Sequence, residues 1–184
     1  MKVQNEKVKY IALLRGINVG GHHKVPMAEL RTEFEQIGFE NITTILNSGN
    51  IIFEAKVGNT DDIENTICTH LENHFHFPIP TIVRTTETIH DLFLSQPFEK
   101  VTLTKDIRLY ISFLKSDTKS DLKLPWTSED GSYKIISKRD KNILSILDLS
   151  VSQTPKAMEA LEKHFGKDIT TRNWNTIEKI EKKL

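Results

Sequence analysis

Cysteine and long apolar runs are almost absent from this sequence. Its one cysteine, Cys68, excludes a disulfide within the chain and suits a reducing compartment. No stretch approaches the roughly 20 apolar residues that a membrane span requires, and segment 1–10 lacks the apolar run of a signal peptide. We therefore expect a cytoplasmic protein with no membrane partner.

An excess of charge of either sign is absent as well. The chain has 25 basic and 25 acidic residues, so its formal net charge is zero. Proteins held to nucleic acid mainly by phosphate neutralisation usually carry a strongly basic face. The charge balance, together with the lack of an aromatic pair in a basic strand, argues against a nucleic-acid partner.

Named phosphate-binding patterns are missing too. A Walker loop continues from its last glycine into Lys-Ser/Thr, whereas Gly21 is followed by His22, and the three spaced glycines of a dinucleotide-binding loop do not occur. No Ser/His/Asp set or carboxylate pair has a catalytic spacing. The sequence therefore indicates no cofactor and leaves catalytic residues undefined.

The sequence does contain a regular alternation of strand and helix patterns. Apolar residues recur at helical spacing from 27 to 37 and from 63 to 75. Thr60 or Asp61 is expected to cap the second of these helices, with Glu64 completing a capping box. The predicted strands are 8–14, 42–46, 51–55 and 81–84, with a tight turn at 47–50 and a further short helix at 86–94.

The resulting order, β-α-β-β-α-β, is that of the ferredoxin-like fold, and the second half repeats parts of the first. The matched segments, in the same order, are 10–15 with 110–115, 50–52 with 142–144, 71–75 with 161–165, and Arg84, Thr88 and Ile89 with Arg172, Thr176 and Ile177. We therefore predict an α+β protein of two ferredoxin-like βαββαβ halves from an internal duplication, each followed by a short helix. The predicted domains are 1–98 and a degenerate 99–184.

The first half has a glycine-rich loop, residues 15–26, that the second half lacks. The spacing between corresponding strands is shorter in the second half, where the polar, turn-rich segment 116–121 stands in place of the loop and the first helix. Segment 126–130 is also expected to be loop. We therefore assign function to the first half.

The glycine-rich loop and the 47–50 turn should be neighbours, since both follow strands that end at the same edge of the sheet. Glycines let the backbone approach a ligand closely, and the N-terminus of the following helix favours an anion. A tight turn explains Ser48 and Asn50 equally well. The predicted ligand contacts are Arg15, Gly16, Asn18, Gly20, Gly21, Lys24, Ser48 and Asn50, with His22, His23 and Asn47 nearby.

A second unusual cluster precedes the last predicted helix and consists of Arg172, Asn173, Trp174 and Asn175. Asn175 with Glu178 fits a capping box, and Trp174 can anchor the helix. Four such residues in a row nevertheless exceed what a cap requires, so all four are included among the predicted ligand contacts. For Arg172, ion pairing within the fold is an equal alternative.

Three histidines raise the question of a metal site. His70 and His74 lie four residues apart on the predicted second helix, with His76 just beyond, and zinc sites use such spacings. His74 recurs as His164 in the second half, which favours helix packing. We expect no metal.

Four motifs carry a family resemblance: Arg-Gly-Ile-Asn-Val-Gly-Gly at 15–21, Lys24 with 26–30, Ser-Gly-Asn at 48–50, and Arg-Asn-Trp-Asn-Thr at 172–176. In these motifs the chain resembles the bacterial family known as domain of unknown function 1697. The resemblance runs from Tyr10 to Leu184 and implies a small cytoplasmic protein of ferredoxin-like halves, without supplying an activity. At His23 and Asn47 the chain departs from the Asn and Gln frequent in the family, so neither is assigned a mechanism.

Three functions are compatible with these patterns. The preferred one is binding of, or action on, a small anionic or nucleotide-like ligand at the glycine-rich loop and the adjacent turn. The second is a structural or protein-interaction role, in which the unusual residues are turns and helix caps. An RNA-binding module is the third and is disfavoured by the neutral charge.

Overall fold

The computed structural model describes residues 6–184; the start of the polar segment 1–10 lies outside the described residues. The fold belongs to the α+β class, with two antiparallel sheets and five helices in the described part. Contacts divide it into two compact units, the chain up to Asp91 with Lys179–Leu184, and Leu92–Glu178. A domain boundary after residue 98 stays a prediction.

The first unit follows the predicted order of elements. Its four strands form one antiparallel sheet in the order β2-β3-β1-β4. Each predicted strand begins and ends within two residues of an observed strand, and the short helix α3 has the predicted bounds. The elements are β1 (Lys7–Leu14), α1 (Met27–Ile37), β2 (Glu40–Ile45), β3 (Asn50–Lys56), α2 (Thr60–Phe75), β4 (Thr81–Thr85) and α3 (Thr86–Leu94).

The core of this unit lies between the sheet and the pair α1 and α2. Leu30 and Phe34 of α1, and Ile67 and Leu71 of α2, are fully buried, as the helical periodicity predicted. The Phe34 ring packs edge-on against Phe53 of β3, with 5.4 Å between centroids. Burying such side chains is the main stabilising term for the unit.

Polar contacts join α1 to α2 at the rim of this core. Glu33 is 3% exposed and its Oε2 lies 2.8 Å from Nε2 of His70. Glu29 Oε1 lies 2.7 Å from Nε2 of His74. Both histidines therefore contact helix α1. Within residues 6–184, no group of three or more His, Cys, Asp or Glu side chains is arranged to hold a metal ion.

The start of α2 differs from the predicted capping box. Asn59 is the N-cap, and its side chain accepts a hydrogen bond from Asp61 N–H. Glu64 is fully buried, where it accepts a 2.8 Å hydrogen bond from Val83 N–H. Its Oε1 also lies 3.8 Å from Arg84, and burial lowers the pKa of that guanidinium against the opposing effect of Glu64. The prediction of Thr60 or Asp61 as cap with Glu64 was wrong because Glu64 faces the sheet.

The second unit has a sheet of five strands in the order β6-β7-β8-β5-β9. Residues 115–125 contain no helix, so the order βαββαβ predicted for this half was wrong in its first helix, as the polar segment 116–121 had indicated. The segment 126–130, predicted as loop, begins with a two-residue strand. The elements are β5 (Ile107–Leu114), β6 (Trp126–Thr127), β7 (Tyr133–Arg139), β8 (Asn142–Asp148), α4 (Thr154–Phe165), β9 (Ile169–Asn173) and α5 (Trp174–Glu181).

Cross-strand register is the same in the two sheets. Leu13 of β1 pairs with Asn50, and Phe113 of β5 pairs with Asn142. The strands on the other side agree in the same way, through the pairs Ile11–Arg84 and Ile111–Arg172. These are the residues that the sequence matches, so the matched segments occupy corresponding places in their sheets. None of the helices within residues 6–184 has the length and apolar content needed to traverse a bilayer.

The turn between β2 and β3 provides a test of how closely the chain packs at the end of β1. A Cβ added at Gly49 would lie 2.7 Å from Leu14 Cβ and 2.9 Å from Ile17 Cδ1, at a φ of 77°. We expect Gly49→Ala to lower the free energy of unfolding by about 2–4 kcal/mol, measured by urea denaturation. Gly20→Ala is the control, because Gly20 has a φ of 60° with no atom within 4 Å, and should lose only about 1 kcal/mol. Equal losses would contradict the close packing.

Candidate functional site

The glycine-rich loop between β1 and α1 contains a tight hairpin turn at its tip. His22 N–H donates to Val19 O over 3.2 Å, and the two residues form an isolated antiparallel bridge. Gly20 and Gly21 between them have φ values of 60° and 79°. Two successive left-handed residues are typical of a type I′ turn, where glycine is favoured. The turn alone therefore accounts for this glycine pair.

Asn18 holds the base of the loop together. Its Nδ2 donates to Val25 O over 2.9 Å and to Asn47 O over 2.8 Å, and its Oδ1 accepts from Val25 N–H over 2.8 Å. The bond to Asn47 confirms that the loop and the 47–50 turn are neighbours. Both the oxygen and the nitrogen of the Asn18 amide are bonded to backbone groups, so the role of this side chain is to fix the shape of the loop.

Within the adjacent turn, Asn50 has a structural role. Its side chain is completely buried and donates from Nδ2 to Ile45 O over 2.9 Å and to Ser48 Oγ over 3.1 Å. These bonds close the hairpin between β2 and β3. The turn explanation that the sequence left open is thus supported for both Ser48 and Asn50.

A depression of about 450 Å³ lies beside the loop, at the start of α1. It combines apolar surface with a histidine and a lysine whose side chains are exposed. Arg15, Gly16 and Gly20 are not among its lining residues, and neither are Ser48 and Asn50. The lining residues are Asn18, Gly21, His22, Lys24, Val25, Pro26, Met27 and Asn47.

The other residues of the loop lie outside this depression. Arg15 is half-buried and its backbone N–H donates to Pro80 O over 2.8 Å. His23 stacks on Phe77 with 4.4 Å between ring centroids, and its Nδ1 lies 3.2 Å from Gly16 O. The part played by Phe77 had no signal in the sequence, because it lies more than fifty residues along the chain.

Helix α1 begins at the depression without a side-chain cap. Pro26 is the N-cap residue, and the first hydrogen bond of the helix runs from Leu30 N–H to Pro26 O over 2.9 Å. The N–H groups of the first turn therefore have no partner within the helix. Together with the positive end of the helix dipole and the side chains of His22 and Lys24, they form a surface suited to an anion.

Arg172, in the second unit, is a buried residue of β9. It is 8% exposed and its Nη1 donates to Thr170 Oγ1 over 2.8 Å and to Thr171 O over 3.0 Å. Burial lowers the pKa of its guanidinium to about 10. The contacts hold the guanidinium against its own strand.

The next residues start helix α5. Asn173 Oδ1 accepts a 3.0 Å hydrogen bond from Asn175 N–H, so Asn173 caps this helix and the predicted box of Asn175 with Glu178 was wrong. Trp174 is 8% exposed, and its ring packs edge-on against Phe98 with 5.1 Å between centroids. Capping and packing thus account for Asn173 and Trp174.

The amide of Asn18 can be tested separately from its backbone conformation. Asn18 has a left-handed φ of 55°, which glycine adopts readily. We expect Asn18→Gly to lower the free energy of unfolding by about 1–3 kcal/mol, because Val25 loses its amide partner. In Asn47→Ala only the side chain is removed, while the carbonyl that Asn18 contacts stays, so its loss should remain below about 0.5 kcal/mol. Similar values for the two variants in thermal and urea unfolding would exclude this role.

The start of α5 distinguishes two neighbouring asparagines. Asn173→Ala removes the capping oxygen and should lower the free energy of unfolding by about 1 kcal/mol. Asn175→Ala keeps the backbone N–H that donates to Asn173 Oδ1, so it should change the free energy of unfolding by less than about 0.5 kcal/mol. Chemical denaturation of both variants measures the difference, and the reverse order would restore Asn175 as the cap.

Comparisons with known proteins identify relatives over most of the chain. The family model described as "Protein of unknown function (DUF1697)" matches residues 8–141. The structure of conserved bacterial protein SP0830 from Streptococcus pneumoniae is similar over 96% of this chain and 98% of that one, with 25% identity and a TM-score of 0.70. No curated protein matches the sequence. The chain therefore belongs to the DUF1697 family of proteins of unknown function.

Proposed function

We propose that the protein binds a small anionic or nucleotide-like ligand in the depression at the start of α1. The observation that supports this most directly is the uncapped first turn of α1, which opens beside Lys24 and His22. Backbone N–H groups at a helix N-terminus bind anions well, and a lysine adds a mobile positive charge. The apolar side of the same depression, formed by Val25 and Met27, would contact the uncharged part of the ligand.

The loop geometry supports the proposal in a second way. Two hydrogen bonds of the Asn18 amide close the loop on Val25, and a third joins the loop to Asn47 of the 47–50 turn. A binding surface that is held in place before the ligand arrives loses less conformational entropy on binding. The volume of about 450 Å³ is also within the range of small-molecule sites. The proposal rests on the loop and turn alone, since Arg172–Asn175 belong to the second unit.

We also infer that the two units descend from one duplicated ferredoxin-like βαββαβ unit. Three strand pairings of the first sheet recur with the same register in the second. The strand order β2-β3-β1-β4 also corresponds to β7-β8-β5-β9. A cytoplasmic location is supported by the lone, unpaired Cys68, which suits a reducing compartment.

A structural or protein-interaction role is the second candidate. It is favoured by one specific observation: the polar residues that first suggested binding make internal contacts, as Asn18 does in the loop and Asn173 does at α5. In that case the motifs of this family preserve turns and caps. Thermal unfolding in the presence of candidate ligands separates the two functions.

The test measures the melting temperature with inorganic phosphate, adenosine 5′-monophosphate and a short RNA. We expect at least one of the two small anions to raise the melting temperature by about 3–6 °C at tenfold excess over its dissociation constant. Lys24→Gln should abolish most of that rise, and His22→Gln part of it. Lys56→Gln, an exposed lysine of β3, is the matched control and should retain it.

Three outcomes would contradict the proposal. Stabilisation that survives Lys24→Gln and His22→Gln together would exclude this depression as the site. A shift caused by RNA alone, with a steep dependence on salt, would favour the nucleic-acid function instead. No shift with any of the three compounds would favour the structural role.

A further inference from the structure

The second unit contains a groove of about 390 Å³ that shares no lining residue with the depression at the start of α1. It runs between helix α4 and the segment 126–130, which contains β6 and the turn after it. Aromatic, cationic and acidic side chains all contribute to its walls. The lining residues are Trp126, Ser128, Glu129, Asp130, Lys156, Ala160, Lys163 and His164.

In the first unit the corresponding space is filled by a helix. Helix α1 packs against α2 and β2 there, and the counterparts of α2 and β2 are α4 and β7. No helix lies between β5 and β7 among residues 115–125. The groove is therefore the place of a helix that the second unit does not have.

One aromatic contact of that helix is reproduced by Trp126. In the first unit, Phe34 of α1 lies edge-on to Phe39 with 5.7 Å between ring centroids. Lys134 has the strand register of Glu40, so Tyr133 stands in the position of Phe39, the residue before Glu40. Trp126 lies edge-on to Tyr133 with 6.4 Å between ring centroids. Trp126 thus covers the sheet as Phe34 does and leaves the outer part of the space open.

The contrast between two histidines indicates what the groove would accept. His164 occupies the position of His74, because each directly precedes the phenylalanine at the end of its helix, and both phenylalanines pack against the core of their unit. In the first unit, α1 supplies a carboxylate to His74: Glu29 Oε1 lies 2.7 Å from its Nε2. In the described part of the second unit no carboxylate hydrogen-bonds to His164, whose ring has Trp126 at 5.0 Å.

The charges at the groove favour an anion at the His164 end. At the other end, Lys156 Nζ lies 2.8 Å from Asp130 Oδ2, and this contact lowers the pKa of Asp130, as do bonds from Ser132 and Ser128. That pair is therefore neutralised. Lys163, next to His164 on α4, is exposed and has no hydrogen bond or ion pair among the described residues. Exposed Glu129 on the rim opposes an anion.

We propose that this groove binds a small organic carboxylate with an apolar body. The carboxylate contacts His164 and Lys163, as Glu29 contacts His74 in the first unit, and the apolar body lies on Trp126 and Ala160. The volume is that of a small-molecule site. The proposal depends on the correspondence of the two units and is independent of ligand binding at the glycine-rich loop.

The indole N–H signals of the two tryptophans, observed by ¹H–¹⁵N NMR on the full chain, provide the test. Trp126→Phe identifies the Trp126 signal. We expect 3-phenylpropionate, titrated to about 10 mM as suits a ligand of this size, to shift the Trp126 signal saturably and to leave that of Trp174 unchanged. 3-Phenylpropanamide, which lacks the charge, and acetate, which lacks the apolar body, should each bind at least about fivefold more weakly than 3-phenylpropionate.

Charge variants complete the test. Lys163→Gln and His164→Gln should each weaken the binding of 3-phenylpropionate by about tenfold, as expected for a lost charge-assisted hydrogen bond. Glu129→Gln should strengthen it, and Lys134→Gln, an exposed lysine on β7, should have no effect. Equal binding of the amide and the acid, unchanged binding in Lys163→Gln, or no shift of the Trp126 signal would each overturn the proposal. Lys163 is a surface residue, so this result does not depend on the folding of the His164 variant.

Discussion

The close approach between the end of β1 and the turn before β3 determines the geometry of the depression at the start of α1. Leu14 N–H donates to Gly49 O over 2.8 Å, and the space beside Gly49 is too small for a Cβ. Because the 47–50 turn is held close to the end of β1, the side chain of Asn18 in the glycine-rich loop reaches Asn47 O. The depression at the start of α1 follows from that pair of contacts, since Asn18 and Asn47 both line it.

In the two units, different elements cover the corresponding face of the sheet. In the first, α1 supplies both apolar cover and the carboxylates of Glu29 and Glu33, which contact the histidines of α2. In the second, Trp126 supplies apolar cover from a short edge strand, and no helix brings carboxylates to His164. A half-buried imidazole and an open groove remain where the helix would be. The second unit has no counterpart of α1 among residues 115–125, and the groove lies in the space that this helix would fill.

Sequence periodicity predicted the first unit well because the signals for its elements are local. Helical stripes such as Leu30 with Phe34 repeat every three or four residues, and each predicted strand lies within two residues of its observed position. Glu64 was assigned wrongly for the opposite reason. Its partner, Val83 N–H, is nineteen residues away on another strand, and no local pattern distinguishes a buried glutamate from one at a helix start.

The polar motifs show the same limit in the candidate site. Asn18 and Asn173 stand out in the sequence because both are needed at junctions between a strand and a helix, where their side chains bind backbone groups. A motif of this kind indicates a constrained backbone and does not by itself indicate a ligand. Groups whose hydrogen-bonding capacity the fold leaves open are better evidence. Two such sets on the surface of the described part of the chain are the first N–H groups of α1 beside Lys24, and His164 beside Lys163. The sequence indicated the first set, because Lys24 lies in the loop before a predicted helix, but the lack of a side-chain cap on α1 and the lack of a helix beside His164 are features of the folded structure that residue spacing does not give.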